Sequence, residues 1–325
     1  MPRQPGLRTQ AKAISVGPEI SVVVIVGRRR EPAAYAVQSI LAQANIHRME
    51  VLLVDCAGAG APLPGGSDHP NVRLLPLASG TTYGEARAVA VRQARAGVVA
   101  FLEEHCIALP GWSEALVRAH AGPWAGVGGE VYSANAGAGL SDAVYLLGYG
   151  AWSPPAERGP ADHVAAHNSS YRRDLLLEAG DDLPCLLTSE PLLQDWLTGR
   201  GHQLFVEPDA RFLHANETSI SSLKGFYWWN RAYGAARADR SVWSRPRRLA
   251  YGLLSPALVV TRTLRQARTV LRRQPNRWWA LMCNLPLMLP INAVAVAGNV
   301  LGALRGAADA EARFSDHELN DPATR

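Results

Sequence analysis

Glu103, Glu104 and His105 follow directly on the apolar run Val98, Val99, Ala100, Phe101 and Leu102. Carboxylates and imidazole can ligate Mn²⁺ or Mg²⁺, and a β-branched and aromatic run that stops at them reads as a buried strand with an ionisable carboxyl end. In an extended segment Glu103 and His105 leave one face and can share a divalent cation, while Glu104 points to the other. A solvated strand end with a surface Glu pair is the plain alternative. Asp55 closes a second apolar run, Val51 to Val54, and could equally be a turn former ahead of Gly58. His214 follows Arg211, Phe212 and Leu213, a setting in which a lone histidine is commonly structural. Glu190 and Asp195 flank Pro191. Proline suits the first turn of a helix capped by Ser189 or Thr188, and there Glu190 at the least complements the helix dipole.

Such groups need a sheet to position them. Ile20 to Val26 reads as a buried strand, Gly27 to Pro32 as a basic loop, and Ala33 to Ala44 as a helix with Val37, Ile40 and Leu41 on one face. Val51 to Val54 and Val72 to Leu77 supply further strands, separated by a Gly- and Pro-rich loop, and a helix over 85–96 leads into Val98 to Leu102. This alternation predicts an α/β fold with a doubly wound, mostly parallel sheet, whose ligands collect at the carboxyl edge. With 325 residues, 48% of them hydrophobic and 19% charged, the chain has room for a domain of about 200 residues and more besides. The net charge of +5 is concentrated in arginines between Arg231 and Arg277, which suits an anionic surface or a phosphate-bearing substrate and not a nucleic acid. Four cysteines without CxxC spacing indicate neither a disulfide framework nor a zinc site, and point to a reducing cytosolic setting. Residues 1–19 read as a disordered tail.

In order along the chain, Ile20 to Val26, Ser39 to Gln43, Glu50 to Asp55, Ala86-Arg87, Phe101 to His105 and Pro110-Gly111-Trp112 resemble the nucleotide-sugar half of a family 2 glycosyltransferase with a GT-A fold. His167 to Arg173 resembles that family's acceptor-side segment, and Glu190 through Gly201 to His214 its acidic helix and terminal histidine; the likeness spans residues 20–217. The resemblance implies inverting transfer of a sugar from a nucleotide-diphosphate donor, UDP-linked, to a lipid-linked or glycan acceptor. It implies that Glu103, His105 and His214 surround a divalent cation, Mn²⁺ or Mg²⁺, and that Asp55 meets the nucleobase. Glu31, Arg87 and Glu104 would lie beside the donor, and Gly129, Asn168 and Arg172 beside the acceptor. Glu190 would be the general base, with Asp195 the second candidate. Two departures stand out: Glu-x-His replaces Asp-x-Asp, and Pro191 replaces the usual aspartate of the acidic pair. Both also fit a GT-A domain that binds a nucleotide sugar, or acts as a membrane scaffold, without turnover. The run Arg28 to Arg30 suits a solvated loop or a phosphate contact.

Beyond Thr218 aromatics and arginines interleave, as in Phe226 to Trp229 with Arg231 and Trp243 to Arg248, a mixture that stacks bases or forms a membrane-interface belt. Trp278 to Leu304 runs 27 residues without a charge, more than the roughly 20 needed to span a bilayer. Asn284, Asn292, Asn299, Pro286 and Pro290 leave open a kinked span, a re-entrant hairpin, a helix pair in the interface or a buried helical subdomain. Residues 218–306 are therefore expected to be membrane-associated helices in contact with lipid, with the preceding arginines on the cytoplasmic side. The polarity of 307–325 predicts a disordered tail.

Overall fold

The computed structural model describes residues 17–58, 63–137 and 139–321; most of the N-terminal tail lies outside them. β1 (Ile20–Val26), β2 (Met49–Asp55), β3 (Val72–Pro76) and β4 (Val98–Phe101) pair in parallel in the spatial order β3, β2, β1, β4. Every residue of β1 and β2 is buried, so these strands read as unbroken apolar runs and not as alternating ones. Between them run α1 (Arg30–Leu41) and α2 (Tyr83–Gln93). α1 starts three residues earlier than its apolar face suggests, because Pro32 is tolerated in a first helical turn. α2 starts at Tyr83 because Thr82 and Glu85 form a reciprocal capping box.

The chain continues through β5 (Cys106–Ala108), α3 (Trp112–His120), β6 (Gly126–Ser133), α4 (Leu140–Gly148), β7 (Gly159–Ala161), β8 (Ser169–Arg172), α5 (Arg173–Leu177), α6 (Leu183–Thr188), α7 (Glu190–Thr198) and β9 (Leu204–His214). Past β4 the sheet becomes mixed: β8 is antiparallel to β4 and β6, β9 is parallel to β6, and β5 closes antiparallel on β9. Apolar clusters cover both faces, the three-layer arrangement that the strand and helix alternation predicts. The register of β5 on β9 sets Cys106 opposite His214. That pairing brings together two histidines 109 positions apart in sequence.

The C-terminal part consists of α8 (Leu223–Arg240), α9 (Arg245–Leu253), α10 (Ser255–Arg273), α11 (Trp278–Arg305) and α12 (Ala310–Asn320). α11 is one uninterrupted helix of 28 residues with Pro286 and Pro290 inside it, so neither a hairpin nor a helix pair forms. It is long and apolar enough to cross a membrane, yet half of its most apolar window is buried against the rest of the protein. Gly298 and Gly302 let it approach α8 closely: a Cβ there would lie 2.4 Å from Tyr227 O and 2.0 Å from Arg231 O. Its asparagines face the protein. Asn292 donates to Thr263 and Gln266 of α10, and Asn299 donates to Asn230 of α8 at 2.6 Å. Trp278, Trp279, Met282, Leu287 and Leu289 remain exposed. α12 overturns the expected disordered tail. Its own sequence is polar, but Phe314 and Leu319 are buried, Phe314 packs edge-on against Tyr83, and Ser315 Oγ accepts the Tyr83 N–H at 2.8 Å. Tertiary contact stabilises this helix where composition gives no sign of it.

Candidate metal and donor site

The chain turns just past β4, where the Glu103 carbonyl accepts the Cys106 N–H at 3.0 Å. The turn corrects the expectation that Glu104 faces away from its neighbours. His105 sits between both carboxylates, with Nε2 3.5 Å from Glu103 Oε2 and Nδ1 3.3 Å from Glu104 Oε2. From β9, His214 brings its Nε2 to 3.0 Å from His105 Nε2 and 3.5 Å from Glu103 Oε2. Three ligand atoms thus converge on one point, and all three side chains are buried. Adjacent ligands of an octahedral ion bound at about 2.1 Å stand about 3.0 Å apart, so the spacing fits a divalent cation. Two imidazoles and one carboxylate suit Mn²⁺ or another first-row ion better than Mg²⁺, which favours oxygen ligands.

The outer nitrogens fix how the imidazoles present themselves. Asn216 Nδ2 donates to Ser133 Oγ at 3.0 Å and Asn135 Oδ1 at 3.3 Å, so its Oδ1 is the acceptor that lies 3.0 Å from His214 Nδ1. His214 therefore carries its proton on Nδ1 and turns the Nε2 lone pair inward. Glu104 Oε2, 3.3 Å from His105 Nδ1, sets negative charge on the outer side of that ring. Asn168, expected beside the acceptor, instead grips Glu103: its Oδ1 accepts the Glu103 N–H at 2.9 Å and its Nδ2 donates to Glu103 Oε2 at 2.6 Å. Burial opposes the Glu103 charge, but the nearby imidazoles of His105, His214 and His167 outweigh it and hold the carboxyl well below its usual range.

Asp55, expected at the donor, ends β2 and is buried, with both oxygens on Arg30 Nη2 at 2.9 and 3.1 Å. Arg29 Nη2 lies 2.8 Å from Glu104 Oε1 and donates to Glu318 O at 2.6 Å. The basic run is thus tied to the site's own carboxylates. Glu31 is exposed in the first turn of α1. α12 covers the carboxyl end of β1. A Cβ on Gly27 would lie 2.2 Å from Leu319 O, the Arg28 N–H reaches Asn320 Oδ1 at 3.0 Å, and Glu318 Oε1 stands 4.0 Å from His105 Nδ1.

Several expected roles change. Arg87 does not face the donor: it is buried, bonded to Glu190 Oε1, Tyr83 OH at 3.3 Å and His167 O at 2.9 Å, with its guanidinium 4.4 Å above the Tyr83 ring. Glu190 is fully buried, and its second oxygen accepts the Tyr171 hydroxyl at 3.2 Å. Both carboxylate oxygens are engaged, which suits a residue that holds Arg87 and not a general base. Asp195, in contrast, is open to solvent and 3.1 Å from His163 Nε2. Gly129 packs under β9, where a Cβ would meet Ala210 O at 1.7 Å, next to the register shift between Gly128 and Glu130. Arg172 is exposed and pairs with Asp174. Neither Gly129 nor Arg172 lines the ≈ 310 Å³ cavity that opens beside Glu103 and His214.

That cavity also meets His163, His167 and Glu318, which the sequence alone does not single out. His167 adopts φ 71°, a left-handed conformation uncommon outside glycine, and its carbonyl receives Arg87. Its place in the segment from His167 to Arg173 was the available signal; for Glu318 there was none. No curated protein matches the sequence. Residues 21–179 match the sequence model of Glycosyl transferase family 2, covering β1 through the carboxylate–histidine turn to the end of α5.

Proposed function

We propose that this protein is a glycosyltransferase that moves a sugar, with inversion, from a nucleotide-diphosphate sugar, UDP-linked, to a lipid-linked or polysaccharide acceptor at the cytoplasmic face of a membrane. The match to Glycosyl transferase family 2 supports the activity. The observation that carries the site is the convergence of Glu103, His105 and His214 at the carboxyl end of β4. A divalent cation held there by Glu103, His105 and His214 would offset charge on the departing diphosphate. Asn168, Asn216 and Glu104 keep the three ligands aimed, and Arg29 and Arg30 bring positive charge to the same edge. For a hydroxyl acceptor, Asp195 is the base that has an open oxygen, and it is paired with His163, which borders the cavity. Membrane association draws on the exposed apolar face of α11 and the arginines of α9 and α10. Because the opposite face of α11 is packed on α8, the helix suits a position within the interface.

The tied donor edge, with Asp55 and Glu104 already paired to arginines and α12 laid across β1, favours a second reading: a nucleotide-sugar-binding domain without turnover. Calorimetric titration of the detergent-solubilised protein with UDP, with and without Mn²⁺, tests the site. Binding that needs Mn²⁺ and is lost in Glu103→Ala and His105→Ala is expected. UDP, GDP and TDP all failing to bind would sink the donor site. Binding without sugar transfer or donor hydrolysis would favour the second reading.

A further inference from the structure

α12 brings a third carboxylate to the metal cluster. Glu318 is 7% exposed, borders the cavity beside Glu103 and His214, and places Oε1 4.0 Å from His105 Nδ1. Glu104 Oε2 stands 3.3 Å from the same nitrogen, whereas Nε2 on the other side of the ring faces Glu103 and His214. Glu318 thus stands behind a ligand and not among the ligands. Arg29 ties it there, with Nη2 2.8 Å from Glu104 Oε1 and donating to the Glu318 carbonyl at 2.6 Å. Three buried carboxylates around one imidazole are unfavourable, and a divalent cation close by offsets that repulsion. The helix that carries Glu318 has 11 residues, too few to persist in water by itself. Its place depends on Phe314 against Tyr83, on Leu319 over Gly27 and on the surroundings of Glu318.

We propose that Glu318 is a positioning residue of the metal site, one that raises cation affinity through His105 and so couples that affinity to the docking of α12. The proposal rests on the metal reading of Glu103, His105 and His214 and adds to it a residue from the last helix. Negative charge behind a ligating imidazole strengthens its donation to the cation, and partners of this kind are worth about 10- to 100-fold in metal affinity. Coupling between two equilibria is reciprocal: if docking of α12 raises cation affinity about tenfold, the cation strengthens docking about tenfold. The carboxyl end of β1, which α12 covers, is then closed most firmly when the metal site is loaded.

The test is titration of the full chain in nonionic detergent with Mn²⁺, read by electron paramagnetic resonance of the free ion, together with hydrogen exchange over residues 310–320 with and without Mn²⁺. No nucleotide is needed. Glu318→Gln is expected to lower Mn²⁺ affinity at least about tenfold. Leu319→Ser, which loosens α12 without changing its charge, should lower it at least about threefold, and Asp316→Asn on the exposed face of the same helix should leave it unchanged. In the wild type Mn²⁺ should slow exchange in α12 about tenfold, and in Glu318→Gln that response should vanish. A Glu318 that only supports the helix would change exchange with and without Mn²⁺ alike. Circular dichroism confirms that each variant is folded. Wild-type affinity in Glu318→Gln, or exchange in α12 that ignores Mn²⁺, overturns the proposal and leaves the metal reading intact. Tighter Mn²⁺ binding in Leu319→Ser, or faster exchange on adding Mn²⁺, overturns it as well, because the cation would then be displacing the helix. Mn²⁺ failing to bind the wild type would sink the metal reading and the coupling with it.

Discussion

Replacing Asn216 by alanine probes the metal cluster without touching a ligand. The amide oxygen is the acceptor for His214 Nδ1 at 3.0 Å, and His214 is buried. Without that acceptor the imidazole is free to move its proton to Nε2, which withdraws a lone pair from the cation. Outer-sphere losses of this kind cost about 10- to 100-fold in metal affinity, or about 1.4–2.7 kcal/mol. The same substitution strands Ser133 Oγ, a partner of the Asn216 amide, while Asn135 Oδ1 keeps the backbone N–H of position 216 and the Ser141 hydroxyl, so a separate loss of about 1–3 kcal/mol in stability is expected. The two effects separate experimentally. Mn²⁺ affinity is read by titration with electron paramagnetic resonance of the free ion, and stability by urea unfolding of the metal-free protein. Asn216→Asp, which keeps the acceptor, should recover most of the affinity. Wild-type Mn²⁺ affinity in Asn216→Ala, alongside loss of binding in His214→Ala, would refute the argument from the proton's position. Unchanged affinity in both His105→Ala and His214→Ala would refute the cluster itself.

Arg87→Met leaves the Glu190 carboxylate buried and unpaired and should destabilise the protein by about 3–5 kcal/mol in urea unfolding. Adding Glu190→Leu should restore most of that loss, and equal losses in the single and double variants would argue against the pair. Half-buried His120 has its pKa pushed down to about 4, first by burial and then by Arg172. The unfolded chain binds its proton below about pH 6.5 while the folded one does not, so stability should fall between pH 6.5 and 4, by on the order of 3 kcal/mol. His120→Asn should flatten the profile over that window. Cys56 is buried and its thiol is pushed up to about 12, by burial and then by Asp55, whereas Cys283 is exposed on α11. A maleimide should label Cys283 and spare Cys56, and liposomes should slow the labelling; no effect of liposomes would argue against α11 resting on a membrane.

The sheet was legible because its strands are buried on both faces and therefore appear as plain apolar runs, as in Ile20 to Val26 and Val51 to Val54. The carboxylates and histidines at their ends were legible for the same reason, each breaking such a run. What lay hidden depends on turns and on distant partners. The turn at Glu103 reverses the expected side for Glu104, and no spacing rule tells that Asn168 turns toward Glu103 or that Arg87 lies under Glu190. The asparagines of α11 interrupt an apolar segment in sequence, and only the positions of Thr263, Gln266 and Asn230 reveal them as contacts between helices. α12 has an unremarkable polar composition, so nothing short of its docking against Tyr83 and Gly27 identifies it.

The contact between Arg28 and Asn320 joins positions 292 residues apart, and it has a temporal meaning. At a synthesis rate of about 5–20 residues per second, the loop after the first strand waits about 15–60 seconds for the helix that packs on it. By then the sheet has left the ribosome and the long apolar helix has already met its surroundings. The carboxyl edge of β1 is therefore completed last, so a chain released before Leu319 emerges would carry a nearly whole sheet with that edge uncovered.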